Sequence, residues 1–110
     1  MRQFIIDELS GQEHDRLDTY LKKSLSQAAM VGMFWLQLPE DLWAEAQQGH
    51  DACGPFFFAV ELAKDKLMIE LLLRSQSNLH CSCIAYATPA QRDFVLRFID
   101  TMLATEQIKA

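Results

Sequence analysis

Glycine and proline are scarce, four and three in 110 residues. That leaves no flexible linker, collagen-like repeat or low-complexity tract, and makes these residues punctuation in a folded chain. Cysteine is scarce too, and its count is odd: Cys53, Cys81 and Cys83. Three cysteines spread this way make no disulfide framework and fit a reducing compartment. Positive charge is in the minority, with 10 Lys and Arg against 15 Asp and Glu, a net charge of −5. An acidic balance argues against a general nucleic-acid binder and against docking on anionic lipid. No apolar run approaches the roughly 20 residues of a membrane span. Among Gly11, Gly32, Gly49 and Gly54 there is no Gly-x-Gly-x-x-Gly or Walker-type loop, so nucleotide binding has no support. The opening Met1-Arg2-Gln3-Phe4-Ile5-Ile6-Asp7-Glu8 has no signal-peptide core. A cytoplasmic protein is therefore expected, with neither membrane nor nucleic acid as partner.

What remains is globular composition, 50% hydrophobic and 23% charged. A chain of this length buries roughly two-thirds of its unfolded surface, so one domain over residues 1–110 is expected without a disulfide or metal to hold it. Ser10-Gly11-Gln12-Glu13 is a capping-box pattern. Leu17, Tyr20, Leu21, Leu25 and Ala28 follow at helical spacing and predict a helix over about 11–28. Met30 to Leu38 is apolar on both alternating faces and reads as a buried strand. Pro39 to Gly49, with acids after the proline and a glycine at the end, reads as a short second helix. Three strand-like runs follow, Pro55 to Ala63, Lys66 to Arg74 and Leu79 to Ala87, joined by short polar links. They predict an antiparallel meander. Thr88-Pro89-Ala90-Gln91 is a second capping box and opens a last helix with a stripe of Phe94, Val95, Phe98, Ile99, Met102 and Leu103. Phe4 to Ile6 is a candidate for a short edge strand. The pattern specifies an α+β domain: an antiparallel sheet with helices packed on one face, in the order helix, strand, helix, three strands, helix.

Register follows from the pattern, because a slip of one residue exchanges the two faces. Placing Ala63 opposite Lys66 puts Phe56, Phe58, Val60 and Leu62 on one face with Leu67, Ile69, Leu71 and Leu73. In the third run, the register that buries fewer polar groups turns Cys81 and Cys83 to the core. The other face then carries Phe57, Met68, Leu72, Ile84 and Tyr86, with Glu61, Glu70 and His80 among them. A half-apolar face of this kind meets something. The leading expectation is a protein that acts by association, as a homodimer or an adaptor, with those five residues at the contact.

Two clusters suggest chemistry. His50-Asp51-Ala52-Cys53 and His80-Cys81-Ser82-Cys83 together hold two His, three Cys and an Asp, enough for zinc by ligand type. The rival expectation is a metal- or small-ligand-binding domain using Cys53, His80, Cys81 and Cys83. The spacing argues against it, since Cys-x-Cys on a strand points both thiols one way and His80 the other. Glu70, Ser82 and His80 offer an acid, a hydroxyl and an imidazole, but no nucleophile elbow, so an enzyme comes third. No motif implies a cofactor. The end of the chain, a strand followed by Thr88-Pro89-Ala90-Gln91-Arg92 and an amphipathic helix, resembles the close of PilZ domains. The paired arginines and the Asp/Asn-x-Ser-x-x-Gly turn with which that family binds a cyclic dinucleotide are absent, so the resemblance implies no ligand.

Overall fold

The computed structural model describes residues 1–110 and shows two α-helices and one seven-stranded antiparallel sheet, an α+β architecture. In chain order the elements are β1 (Gln3–Ile6), α1 (Gly11–Ser24), β2 (Ser26–Gln27), β3 (Met33–Gln37), β4 (Phe56–Leu62), β5 (Leu67–Glu70), β6 (Leu72–Ser75), β7 (Ala85–Tyr86) and α2 (Pro89–Thr105).

Both helices start where their capping boxes place them. Ser10 Oγ accepts from the Glu13 N–H at 3.1 Å, and the Glu13 carboxylate accepts from the Ser10 N–H at 2.8 Å. Thr88 and Gln91 repeat the exchange, with Pro89 as the first helical residue. These bonds satisfy N–H groups that have no partner inside the helix. α1 stops at Ser24, short of the predicted Ala28. Leu25 turns extended, and Ser26 and Gln27 pair with Trp35 and Phe34. The predicted strand from Met30 begins only at Met33, because a turn ends at Gly32 with φ +81°. A side chain there would meet the Leu62 carbonyl at 2.9 Å, so the residue serves both the turn and the close approach.

The sheet order is β1-β5-β4-β3-β2, with β6 between β4 and β7. The Ala63–Lys66 register holds: the Ala63 N–H reaches the Lys66 carbonyl at 2.8 Å, and Val60, Glu61 and Leu62 face Ile69, Met68 and Leu67. The predicted strand from Lys66 to Arg74 is interrupted at Leu71. Beyond it Phe57 faces Arg74 and Phe56 faces Ser75, a register shifted by two residues. A shift of two leaves the alternation of faces intact while bending the strand. At the break Leu71 donates to the Arg2 carbonyl and accepts from the Ala87 N–H. β7 and β1 thus follow one another along a single outer edge.

One core runs from Ile6 to Ile108 and includes Leu17 and Leu21 of α1, Phe56, Phe58 and Val60 of β4, and Val95, Ile99 and Met102 of α2. Phe94 stacks on Phe58 with ring centroids 6.4 Å apart, and Tyr20 meets Phe98 edge-on at 6.2 Å. Both helices therefore lie on the Phe58 face.

Two predicted elements are different. Pro39 to Gly49 is not a helix: it makes a single 3-10 turn, Glu40–Leu42, followed by further turns. The Gln47 side chain takes the Ala44 N–H at 3.0 Å, a donor that a continuing helix would use. Leu79 to Ala87 is not a strand either. Only Ala85–Tyr86 pairs, with Leu73 and Leu72, and residues 79–84 are turns. Leu79 is 72% exposed, so the alternation that suggested a strand buries nothing at its start.

Candidate metal centre

Two turns meet beside the end of the sheet. The first is the 3-10 turn Asp51–Cys53 that leads into β4, capped by His50. It is held from behind by Trp43, whose ring packs edge-on against Phe56 at 4.9 Å. Gly54 lets that indole come close, since a Cβ there would lie 2.9 Å from it. The second is the turn at 81–84 that leads into β7, closed by an Ile84 N–H bond to the Cys81 carbonyl. From these turns His50, Cys53, Cys81 and Cys83 bring their ligand atoms within 4.8 Å of one another. A zinc tetrahedron with bonds of about 2.3 Å separates sulfurs by about 3.8 Å. The four groups need move inward by only about an ångström to close on an ion.

The sulfurs sit among donors. The Cys83 N–H points at Cys81 Sγ at 3.5 Å, and His50 Nδ1 lies 3.2 Å from the same sulfur. Asn78 Nδ2 is 3.9 Å from Cys53 Sγ. The Cys81 thiol is brought down to about 6, chiefly by the Cys83 backbone N–H, with the Cys83, Cys53 and His50 side chains contributing and partial burial opposing them. Burial pushes the Cys83 thiol up to about 12, and the neighbouring cysteines add to the shift. One sulfur is thus a thiolate at neutral pH and another holds its proton, an uneven set that a cation would level.

Cys53 and Cys83 are buried and Cys81 is half-buried. Of the two thiols expected in the core, Cys83 lies there and Cys81 remains partly accessible. In metal-free protein an alkylating reagent should therefore modify Cys81 first. The rate should be level above about pH 6 and fall below it, as the Cys81 thiolate is protonated. Peptide mapping after brief labelling checks this, and faster labelling of Cys53 would contradict it.

The other sequence-derived site residues fall in different places. His80 is exposed and lies outside the cluster, where His50 takes the place expected for it. His80 and Ser82 are exposed turn residues, and Glu70 pairs with Arg74 at 2.9 Å, so the acid, hydroxyl and imidazole trio does not assemble on a strand. Phe57, Met68, Leu72 and Tyr86 do share the sheet face away from the helices. Phe57 is buried there beside Trp35, with centroids 6.1 Å apart. Ile84 leaves that face: it is in the turn, packed against the core. Sequence reasoning missed Met33, Trp35 and Ile5 on the open face, because it left their strands unplaced. The signal for His50 was its spacing, His-x-x-Cys.

No protein-family model, curated protein or solved structure matches this chain.

Proposed function

We propose that the protein binds one zinc ion through His50, Cys53, Cys81 and Cys83, and that the ion serves to hold two turns together. The observation that carries this reading is the convergence of three sulfurs and an imidazole nitrogen within 4.8 Å. Three cysteines and a histidine form a closed zinc set, and thiolate-rich sites favour zinc over magnesium or calcium. With four protein ligands there is no vacant position for a water, which favours a structural over a hydrolytic role. The ion joins the turn before β4 to the turn before β7, two segments with little regular structure of their own.

Elemental analysis of protein purified under reducing conditions, and again after refolding with zinc, tests this. One zinc per chain is expected in wild type and in His80→Ala, with loss in Cys83→Ser. Cobalt in place of zinc should give an intense sulfur-to-metal charge-transfer band. Wild type that takes up neither metal, with its thiols reduced, overturns the reading.

A second reading concerns association. It is favoured by the sheet face that neither helix covers, where Met33, Trp35, Met68, Leu72 and Tyr86 are half-buried and Ile5 is 45% exposed. A second copy of the chain is the simplest occupant, since a two-fold contact closes on itself. Light scattering at micromolar concentration should give a dimer for wild type and a monomer for Leu72→Glu. A wild-type mass of one chain overturns it.

A further inference from the structure

Only three polar side chains in the molecule are buried: Gln47, Ser75 and Gln91, each 1% exposed. Two of them bond the backbone of proposed metal ligands, and the third bonds one of those two. The Ser75 hydroxyl donates to the Cys53 carbonyl, which Ser77 Oγ also reaches at 3.0 Å. Gln47 Nε2 donates to the Cys83 carbonyl at 3.0 Å. Gln47 Oε1 accepts from the Ala44 N–H at 3.0 Å and from Gln91 Nε2 at 3.1 Å. Gln91 Nε2 reaches on to the Leu42 carbonyl at 2.9 Å. Buried polar groups are costly unless satisfied, and a closed network fixes one arrangement of the segments it joins.

We propose that Gln47, Ser75 and Gln91 are positioning residues for the metal centre, setting its affinity by fixing the carbonyls beside Cys53 and Cys83. The proposal rests on the zinc reading above. Ser75 governs the limb that carries Cys53. Gln47 governs the limb that carries Cys83, and Gln91 ties that limb to the first turn of α2. Groups that orient metal ligands typically contribute about 10–100-fold to affinity. A residue that merely fills the core weakens the metal-free and metal-bound forms alike; a positioning residue weakens the bound form more.

The experiment compares wild type with Ser75→Ala and Gln47→Met. Zinc affinity is measured by competition with a chromogenic chelator, and the denaturant midpoint is taken with zinc and with chelator. The expected result is a fall in affinity of about 10–100-fold, with a larger loss of midpoint in zinc than in chelator. Ser75→Thr, which keeps the hydroxyl, should restore most of the affinity. Should Gln47→Met fail to fold, Gln91→Met decides for that limb, since it leaves the Gln47 bond to Cys83 in place, and a smaller fall is expected. Folded variants that bind zinc as tightly as wild type, or midpoints that drop equally in zinc and chelator, overturn the proposal. Wild type that binds no zinc fails differently: it overturns the metal reading itself.

Discussion

On the zinc reading proposed above, removing the metal should unfasten one end of the sheet. In chelator, or in Cys83→Ser, the segment between β6 and β7 should become the first site of proteolytic cutting, while β3, β4 and β5 stay intact. The reason is local. Residues 76–84 form no ladder of their own, and β7 holds only two residues. The segment is held by Ser77 Oγ on the Cys53 carbonyl, by Gln47 Nε2 on the Cys83 carbonyl and by Cys83 in the core, and the zinc reading adds the tie from Cys81 and Cys83 to His50 and Cys53. A structural zinc gives about 10–16 kcal/mol of apparent binding energy in peptides that fold only with metal. Here the sheet folds around its own core, so the gain appears as local order and a higher midpoint. At free zinc 100 to 1,000 times the dissociation constant it amounts to about 3–4 kcal/mol. Affinity should also rise with pH, by at least about tenfold per unit near neutrality, because zinc must displace the proton that burial keeps on Cys83. Limited proteolysis with and without chelator is the check. A cutting pattern indifferent to metal would show that the turns stand without it.

The second large effect belongs to the core. Phe58 is fully buried at the middle of β4, opposite Leu36 of β3 and under the ring of Phe94. Phe58→Ala should cost about 3–5 kcal/mol, the range for large-to-small changes that leave a cavity. Against a total stability of about 5–15 kcal/mol, the variant would be at the edge of folding. Phe98, which the helical stripe also marks as core, is half-buried against Tyr20. Its truncation should cost less, about 1–2 kcal/mol. Denaturant midpoints of the two variants check the ranking, and a Phe98→Ala loss equal to that of Phe58→Ala would reverse it.

These two outcomes mark where the sequence could be read. The helix starts were legible because a capping box is a local code: Ser10 with Glu13, and Thr88 with Gln91, need only their neighbours to form. The hairpin register was legible because eight apolar residues had to share one face. The break at Leu71 was not. It follows from β1 and β7 meeting there, and both come from far along the chain.

The spacing argument against the candidate metal-ligand cluster rests on a strand that the structure replaces with turns. Cys81 and Cys83 on a strand could not share an ion with His80 next to them. In a turn the backbone aims the sulfurs freely, and the imidazole that meets Cys81 lies 31 residues earlier, in His50. Proximity in sequence favoured His80; proximity in space selects His50. Gln47 and Ser75 gave no signal at all, and Gln91 was legible only as a capping-box residue, since a glutamine or serine is an ordinary surface residue until its bonds are seen.

The two outer edges of the sheet have a consequence for crowded solution. A long, straight edge strand is a template on which other chains add, and growth from such edges leads to fibrils. Here one edge ends in Ser26–Gln27, two exposed polar residues just beyond Lys22 and Lys23. The other is broken where β7 gives way to β1, with Arg2 lying over the Tyr86 ring at 4.2 Å. Neither edge offers an unbroken run of free backbone groups long enough to seed a neighbour. A concentrated solution of the folded protein should therefore stay free of thioflavin-positive fibrils. Copies that gather will do so through side chains of the open face, leaving the backbone ladder closed to them.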